Sequence, residues 1–168
     1  MTDLSRIPSF YHAYVKLVPT TDVIQNLITA QQELLKVLQP LSETKWLFQY
    51  QQDKWSIKTM VQHIIDAERI FAYRALRMAR RDTTDLPGFD ENLFAGNSHA
   101  DSRNSKNLMS ESATVHESGI KLFESFNNED LDAVGRANGS EVYVEGIGHI
   151  MAGHKLHHLN VLRERYLQ

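Results

Sequence analysis

The chain contains no cysteine. Disulfides, thiolate metal sites and a cysteine nucleophile are therefore excluded, and any bound metal must be held by nitrogen and oxygen ligands. No apolar run approaches the ~20 residues that a membrane helix needs, so no membrane partner is expected. The start, Met1-Thr2-Asp3-Leu4-Ser5-Arg6, lacks a basic segment followed by an apolar stretch. It does not read as a signal peptide, and a cytoplasmic protein is expected. Positive charge is not in excess either. Lys and Arg number 18 against 21 Asp and Glu, for a formal net charge of -3, which disfavours nucleic acid as a partner. The one basic cluster, Arg74, Arg77, Arg80 and Arg81, falls in a helical stretch and reads as a solvated helix end.

What remains is a chain of 168 residues, 42% hydrophobic, long enough for one domain around a single core. Residues 1–21 read as an irregular arm, broken by Pro8 and Pro19, whose Phe10, Tyr11 and Tyr14 are free to pack on a body formed by residues 22–168. A first helix is expected from Asp22, a suitable N-cap, to Gln39, where Pro40 blocks continuation. Val23, Leu27, Ala30, Leu34 and Leu38 supply its apolar stripe. Residues 40–54 form a connection containing Trp46.

A second helix is expected after Ser56, running to Arg81. With His63 set at zero and about 100° per residue, Gln62, Asp66, Arg69, Tyr73, Arg77 and Arg80 form one narrow polar stripe. Apolar side chains fill most of the remaining arc, so this helix packs on several sides. Val61, Ile65, Ala72 and Leu76 lie on the side away from His63, which suggests a homodimer contact. Residues 82–105 form a long polar loop of a kind that often carries function. A third helix is expected over 106–127, a second connection over 128–142, and a last helix over 144–167. Gly146, Gly148 and Gly153 weaken its propensity but permit close helix approach. With no convincing strand pattern, the fold class is all-α, a four-helix bundle.

Eight histidines are present, and five lie between His116 and His158. His154 and His158, four apart, leave the last helix about 40° from each other, a spacing at which two imidazoles reach one ion. Ile147, Ile150, Met151, Val161 and Leu162 share that face, so the pair points into the bundle. Two neighbouring imidazoles in a core are costly without partners, and a shared metal removes that cost. His63 stands on the apolar side of the second helix and supplies a third ligand from a facing element. Three protein ligands leave positions open for water or substrate. His157 competes with His158 at the i, i+3 spacing, but His158 is nearer the centre of the apolar arc. His149 falls opposite His154 and reads as exposed or at an interface. His116 faces inward and serves core packing or the pocket. His99 and His12 have no evident partner.

These residues carry a family resemblance. Lys54-Trp55-Ser56-Ile57-Lys58, the stretch His63-Ile64-Ile65-Asp66-Ala67-Glu68-Arg69-Ile70-Phe71-Ala72-Tyr73-Arg74, Leu86-Pro87-Gly88-Phe89-Asp90 and Gly153-His154-Lys155-Leu156-His157-His158-Leu159-Asn160 together resemble the DinB/YfiT-like superfamily over residues 22–168. That resemblance implies up-down-down-up connectivity with a long crossover between helices two and three, which residues 82–105 would provide. It implies a divalent ion held by one histidine of helix two and a His-x-x-x-His pair of helix four, matched here by His63, His154 and His158. It also implies a metal-dependent enzyme, some relatives being thiol S-transferases and many known only as metal-dependent enzymes or hydrolases.

An ion held by three neutral imidazoles keeps its full charge and lowers the pKa of a bound water or thiol, or polarises a carbonyl. Zinc or nickel suits the set. One reaction is transfer of a low-molecular-weight thiol to an electrophilic small molecule. The other is hydrolysis of small esters or amides, which usually needs a general base. Asp66 and Glu68 both point away from His63, which favours thiol transfer. Arg74 shares His63's face and suits an anionic group of the substrate. A non-catalytic, metal-stabilised stress-response or binding module is the competing expectation.

Overall fold

The computed structural model describes residues 2–168. Four long helices make the body: α1 (Val23–Leu38), α2 (Ile57–Ala79), α3 (Ser105–Glu124) and α4 (Val144–Val161). Three begin at side-chain caps. Asp22 accepts from the Gln25 amide at 3.0 Å, Ser56 from Thr59 at 3.0 Å and Asn104 from Lys106 at 2.8 Å, each satisfying an amide that lacks an intrahelical partner. The fourth, α4, has no capping side chain; the Val144 amide donates instead to the Ala133 carbonyl at 3.0 Å.

Residue pairs across the interfaces fix the helix directions. Between α1 and α4, Asn26 meets His149 and Gln31 meets Lys155, and just past the end of α4 Arg163 meets Glu33, so numbers rise together and the two helices run parallel. Beside α2, Lys58 donates to the Arg103 carbonyl, Arg69 pairs with Glu111 and the Arg80 guanidinium lies over the Phe126 ring, so α3 runs parallel to α2. Between α2 and α4 the order reverses: His63 meets His158 while Phe71 and Arg74 meet Ile147 and Ile150. The bundle is up-down-down-up. Two parallel neighbours cannot be joined by a tight turn, so the chain from Arg80 to Asn104 must travel back along α2, whose 23 residues span roughly 35 Å at the usual rise. That crossover carries a short helix, Glu91–Asn97, and a 3₁₀ turn, Ala100–Ser102.

Structure departs from the sequence reading in the connections. Residues 128–142 hold a short helix, Asn128–Asp132, and an antiparallel hairpin of β1 (Val134–Ala137) and β2 (Ser140–Tyr143). Its turn is Asn138-Gly139, with φ of 53° and 73°, the left-handed pair that a two-residue hairpin loop requires. Leu86 bridges to this hairpin, its amide donating to the Arg136 carbonyl at 3.0 Å and its own carbonyl accepting from Asn138 at 2.9 Å. The crossover is thereby fastened beside the bundle. At the other end, α4 gives way to a wider π turn over Leu162–Tyr166 instead of continuing as an α-helix to 167.

Residues of the arm pack closely on α4. A Cβ at Gly153 would overlap the Tyr14 carbonyl, and one at Gly148 would overlap Val23 and the Phe123 ring, so these positions admit neighbours that an alanine would exclude. His12 ties the arm to itself, its Nε2 lying 2.8 Å from the Ile7 carbonyl and 3.0 Å from that of Leu4. Helix α2 is buried over most of its circumference. Val61 and Ile65 are covered within the single chain, so the patch read as a subunit contact is largely internal; of its four residues only Leu76 is exposed. Among the described residues no helix is long and apolar enough to cross a membrane.

Candidate metal centre

His63 from α2 and His154 and His158 from α4 bring their ring nitrogens together. Nε2 of His154 lies 3.0 Å from Nε2 of His63 and 3.0 Å from Nε2 of His158, and one ligand atom from each ring falls within 4.8 Å of the others. The antiparallel crossing of α2 and α4 produces this convergence, and the i, i+4 pair supplies two of its three atoms. His157 is not part of it; its ring stacks beside Tyr14 with centroids 5.1 Å apart.

Electrostatics suit a cation. Burial pushes the His63 imidazole down to about 4, against a smaller opposing pull from the Glu91 carboxylate. Burial, then the neighbouring His63 and His157, push His158 down to about 3. His154 lies well below the ordinary range, first through burial and then through the rings around it. All three are therefore neutral near pH 7, the form that ligates. A hydrogen bond between two Nε2 atoms uses one proton, and three such atoms pointing at one another cannot all be satisfied by protons. Two nitrogens about 2.0–2.1 Å from a tetrahedral zinc would lie about 3.3–3.4 Å apart, close to the spacing found. The donor set thus fits a divalent ion. The outward Nδ1 atoms, for which carbonyl, carboxylate or water partners are expected, form no hydrogen bond to a protein group among the described residues.

The three rings open into a pocket of about 330 Å³ walled by Tyr11, Tyr14, Trp55, Phe71 and Phe89. Trp55 stands 5.0 Å from the His63 ring and Phe71 6.0 Å from the His154 ring, centroid to centroid. Three polar side chains reach the same space: Arg74 from α2, Glu91 from the crossover and Asn138 from the hairpin turn. Glu91 escaped the sequence reading because it lies outside any periodic segment; its place follows from the crossover being folded back over α2. Arg74 is where its helical position put it, on His63's side.

The remaining histidines divide differently from expectation. His149 is not exposed. It is 1% accessible, its Nδ1 receives the Asn26 amide at 3.2 Å, and burial pushes it down to about 4 despite Asp22. The face opposite His154 is covered by α1, which the sequence periodicity of α4 alone does not reveal. His116 belongs to a buried polar network. Its Nδ1–H donates to Glu68 Oε1 at 2.8 Å, and Lys155 Nζ donates to Glu68 Oε2 at 3.0 Å and to Gln31 Oε1 at 2.7 Å. Since Nδ1 carries a proton toward Glu68, the approach of Lys155 at 3.1 Å is a contact and not a second bond. Nε2 of His116 is buried without a partner. Glu68 points away from the three rings, as its position on α2 required, but into the core and not into solvent. The network joins all four helices one residue away from His154.

The sequence model of the DinB superfamily matches residues 26–162. No curated protein matches the chain significantly. Among solved structures, YfiT from Bacillus subtilis, described as a probable metal-dependent hydrolase with an unusual four-helix bundle topology, is similar with a TM-score of 0.73. The similarity covers 84% of this chain and 82% of that one at 14% identity, and is one of fold.

Proposed function

The chain belongs to the DinB superfamily, and on that premise we propose that it is a divalent-metal enzyme acting on a small organic molecule, with His63, His154 and His158 as the ligands. The observation that carries this reading is the meeting of three neutral imidazoles, His154 buried and His63 and His158 largely so, in the lining of an aromatic pocket. Zinc and nickel both suit an all-nitrogen set, and elemental analysis of the purified protein distinguishes them. When bound, such an ion lowers the pKa of a nucleophile or polarises the bond to be broken.

Of the two reactions, hydrolysis of a small ester or amide is favoured by Glu91. A carboxylate on the pocket wall near His63 is suited to accept a proton from the attacking water and return it to the leaving group. The objection that no base faces the site applies to Asp66 and Glu68 but not to Glu91. The aromatic walls orient an apolar substrate body and keep bulk water from it. Thiol transfer is the second reading; the chain has no cysteine, so the sulfur would come from a low-molecular-weight cosubstrate.

The metal-loaded protein, assayed with an ester and amide panel and separately with a thiol panel plus an electrophile, tests the choice. Turnover without thiol that falls at least about a hundredfold in Glu91→Gln, with metal content unchanged, is the expected result. Turnover that requires added thiol and ignores Glu91→Gln would transfer the reading to the second reaction.

A further inference from the structure

Arg74 has a property that its position on α2 does not explain. It is 4% exposed, yet it lines the pocket. Its Nη2 donates to the Pro87 carbonyl at 2.8 Å, and Tyr11 shares the pocket wall with it. Its helix neighbours Arg69 and Arg77 pair with Glu111 and Asp82. Arg74 has no carboxylate partner among the described residues, although Glu91 lines the same pocket. A guanidinium stays charged at any physiological pH, and a buried charge without a counter-ion is costly. The Pro87 carbonyl solvates it only in part.

We propose that this guanidinium is the anchor for the substrate's carboxylate, so that the pocket takes a small aryl- or alkyl-carboxylic acid derivative with its reactive bond at the three histidines. The reactive end of this assignment rests on the metal reading; the Arg74 end does not. Phe71 lies between the two ends, its ring 6.0 Å from the His154 ring and 5.8 Å from the guanidinium carbon, so one aromatic side chain spans the interval. The walls supply apolar contact for a ligand body of similar size, and about 330 Å³ is at the small end of ligand sites. With only the Pro87 carbonyl taking one of its donors, the guanidinium keeps a planar pair of donors to offer, which matches the two oxygens of a carboxylate. A phosphate dianion would leave one charge unmatched in a pocket that already holds Glu91.

The test is calorimetric titration with 3-phenylpropionate, its uncharged amide and inorganic phosphate. The proteins are zinc-loaded wild type, wild type stripped with EDTA, and the Arg74→Gln, Arg74→Lys and His158→Ala variants. The carboxylate should bind at least about tenfold better than the amide in loaded, stripped and His158→Ala protein. Arg74→Gln should abolish that preference and Arg74→Lys should keep part of it. In unaltered protein, the Arg74 Nε–H resonance should shift with the carboxylate and not with the amide, which covers the case of a poorly folded variant. A preference that survives Arg74→Gln, or that vanishes on stripping because the carboxylate sat on the ion, overturns the proposal. So does phosphate displacing the carboxylate at equal concentration. If the protein takes up no metal while the Arg74-dependent preference persists, the metal reading fails and the anion site stands.

Discussion

Replacing Lys155 by Met isolates the energetics of the buried network. Lys155 and Glu68 bury all but 3% and 4% of their side chains. Burial alone would raise the Glu68 carboxyl, but Lys155 and then His116 outweigh it and hold the group below the usual carboxylate range. Removing Lys155 leaves a carboxylate inside the bundle with one imidazole N–H as its partner, and strands Gln31 Oε1 as well. Breaking a buried pair from one side costs about 3–5 kcal/mol, whereas replacing both members by apolar side chains of similar volume costs far less. Lys155→Met and Glu68→Leu should therefore each destabilise by about 3–5 kcal/mol. The double variant should fall at least about 2 kcal/mol short of their sum. Urea unfolding at pH 7, followed by far-ultraviolet circular dichroism in the presence of EDTA, gives all three values without a contribution from metal. Single costs below about 1 kcal/mol, or strict additivity, would refute the view that these charges depend on each other.

Other consequences are open to direct measurement. His149 has its pKa lowered to about 4 by burial from an ordinary value near 6.5, so its contribution to stability is complete above pH 6.5 and is lost as pH falls toward 4. Up to about 3 kcal/mol is involved, and His149→Gln should make urea unfolding less acid-sensitive than wild type by an amount of that order. Gly153→Ala places a methyl group on the Tyr14 carbonyl and should displace the arm. A loss of about 1–3 kcal/mol in thermal unfolding is expected, together with weaker binding in the pocket that Tyr14 walls, and an unchanged melt would contradict that packing.

The bundle was legible because its signals are local. Asp22 and Pro40 bracket α1, Ser56 caps α2, and the i, i+4 spacing of His154 and His158 needs only one helix to be read. The hairpin carries a local signal too: Asn138-Gly139 between Val134–Ala137 and Ser140–Tyr143 is a strong two-residue turn, but a segment rich in Asn, Asp and Gly reads equally well as a plain connection. The environment of His149 was a different matter. A helical wheel gives an angle but not what stands at that angle, and α4 is enclosed by α1, α2 and the arm, with Gly148 and Gly153 bringing neighbours close. For the same reason the position of Glu68 on α2 gives its direction away from His63 but not its partners, which come from α3 and α4. Glu91 is near His63 only because two parallel helices force the crossover back along the bundle.

The measurement that bears most directly on the account is metal stoichiometry across four single histidine variants, read by elemental analysis together with X-ray absorption at the metal edge. Wild type should carry one divalent ion per chain with nitrogen neighbours at about 2.0–2.1 Å if the ion is zinc. His63→Ala, His154→Ala and His158→Ala should each lose most of it. His157→Ala, which changes the neighbouring residue of the same helix but removes none of the three converging nitrogens, should retain it. An ion that persists at full occupancy in all three site variants, or that leaves with His157 and stays without His158, would contradict the assignment of this centre.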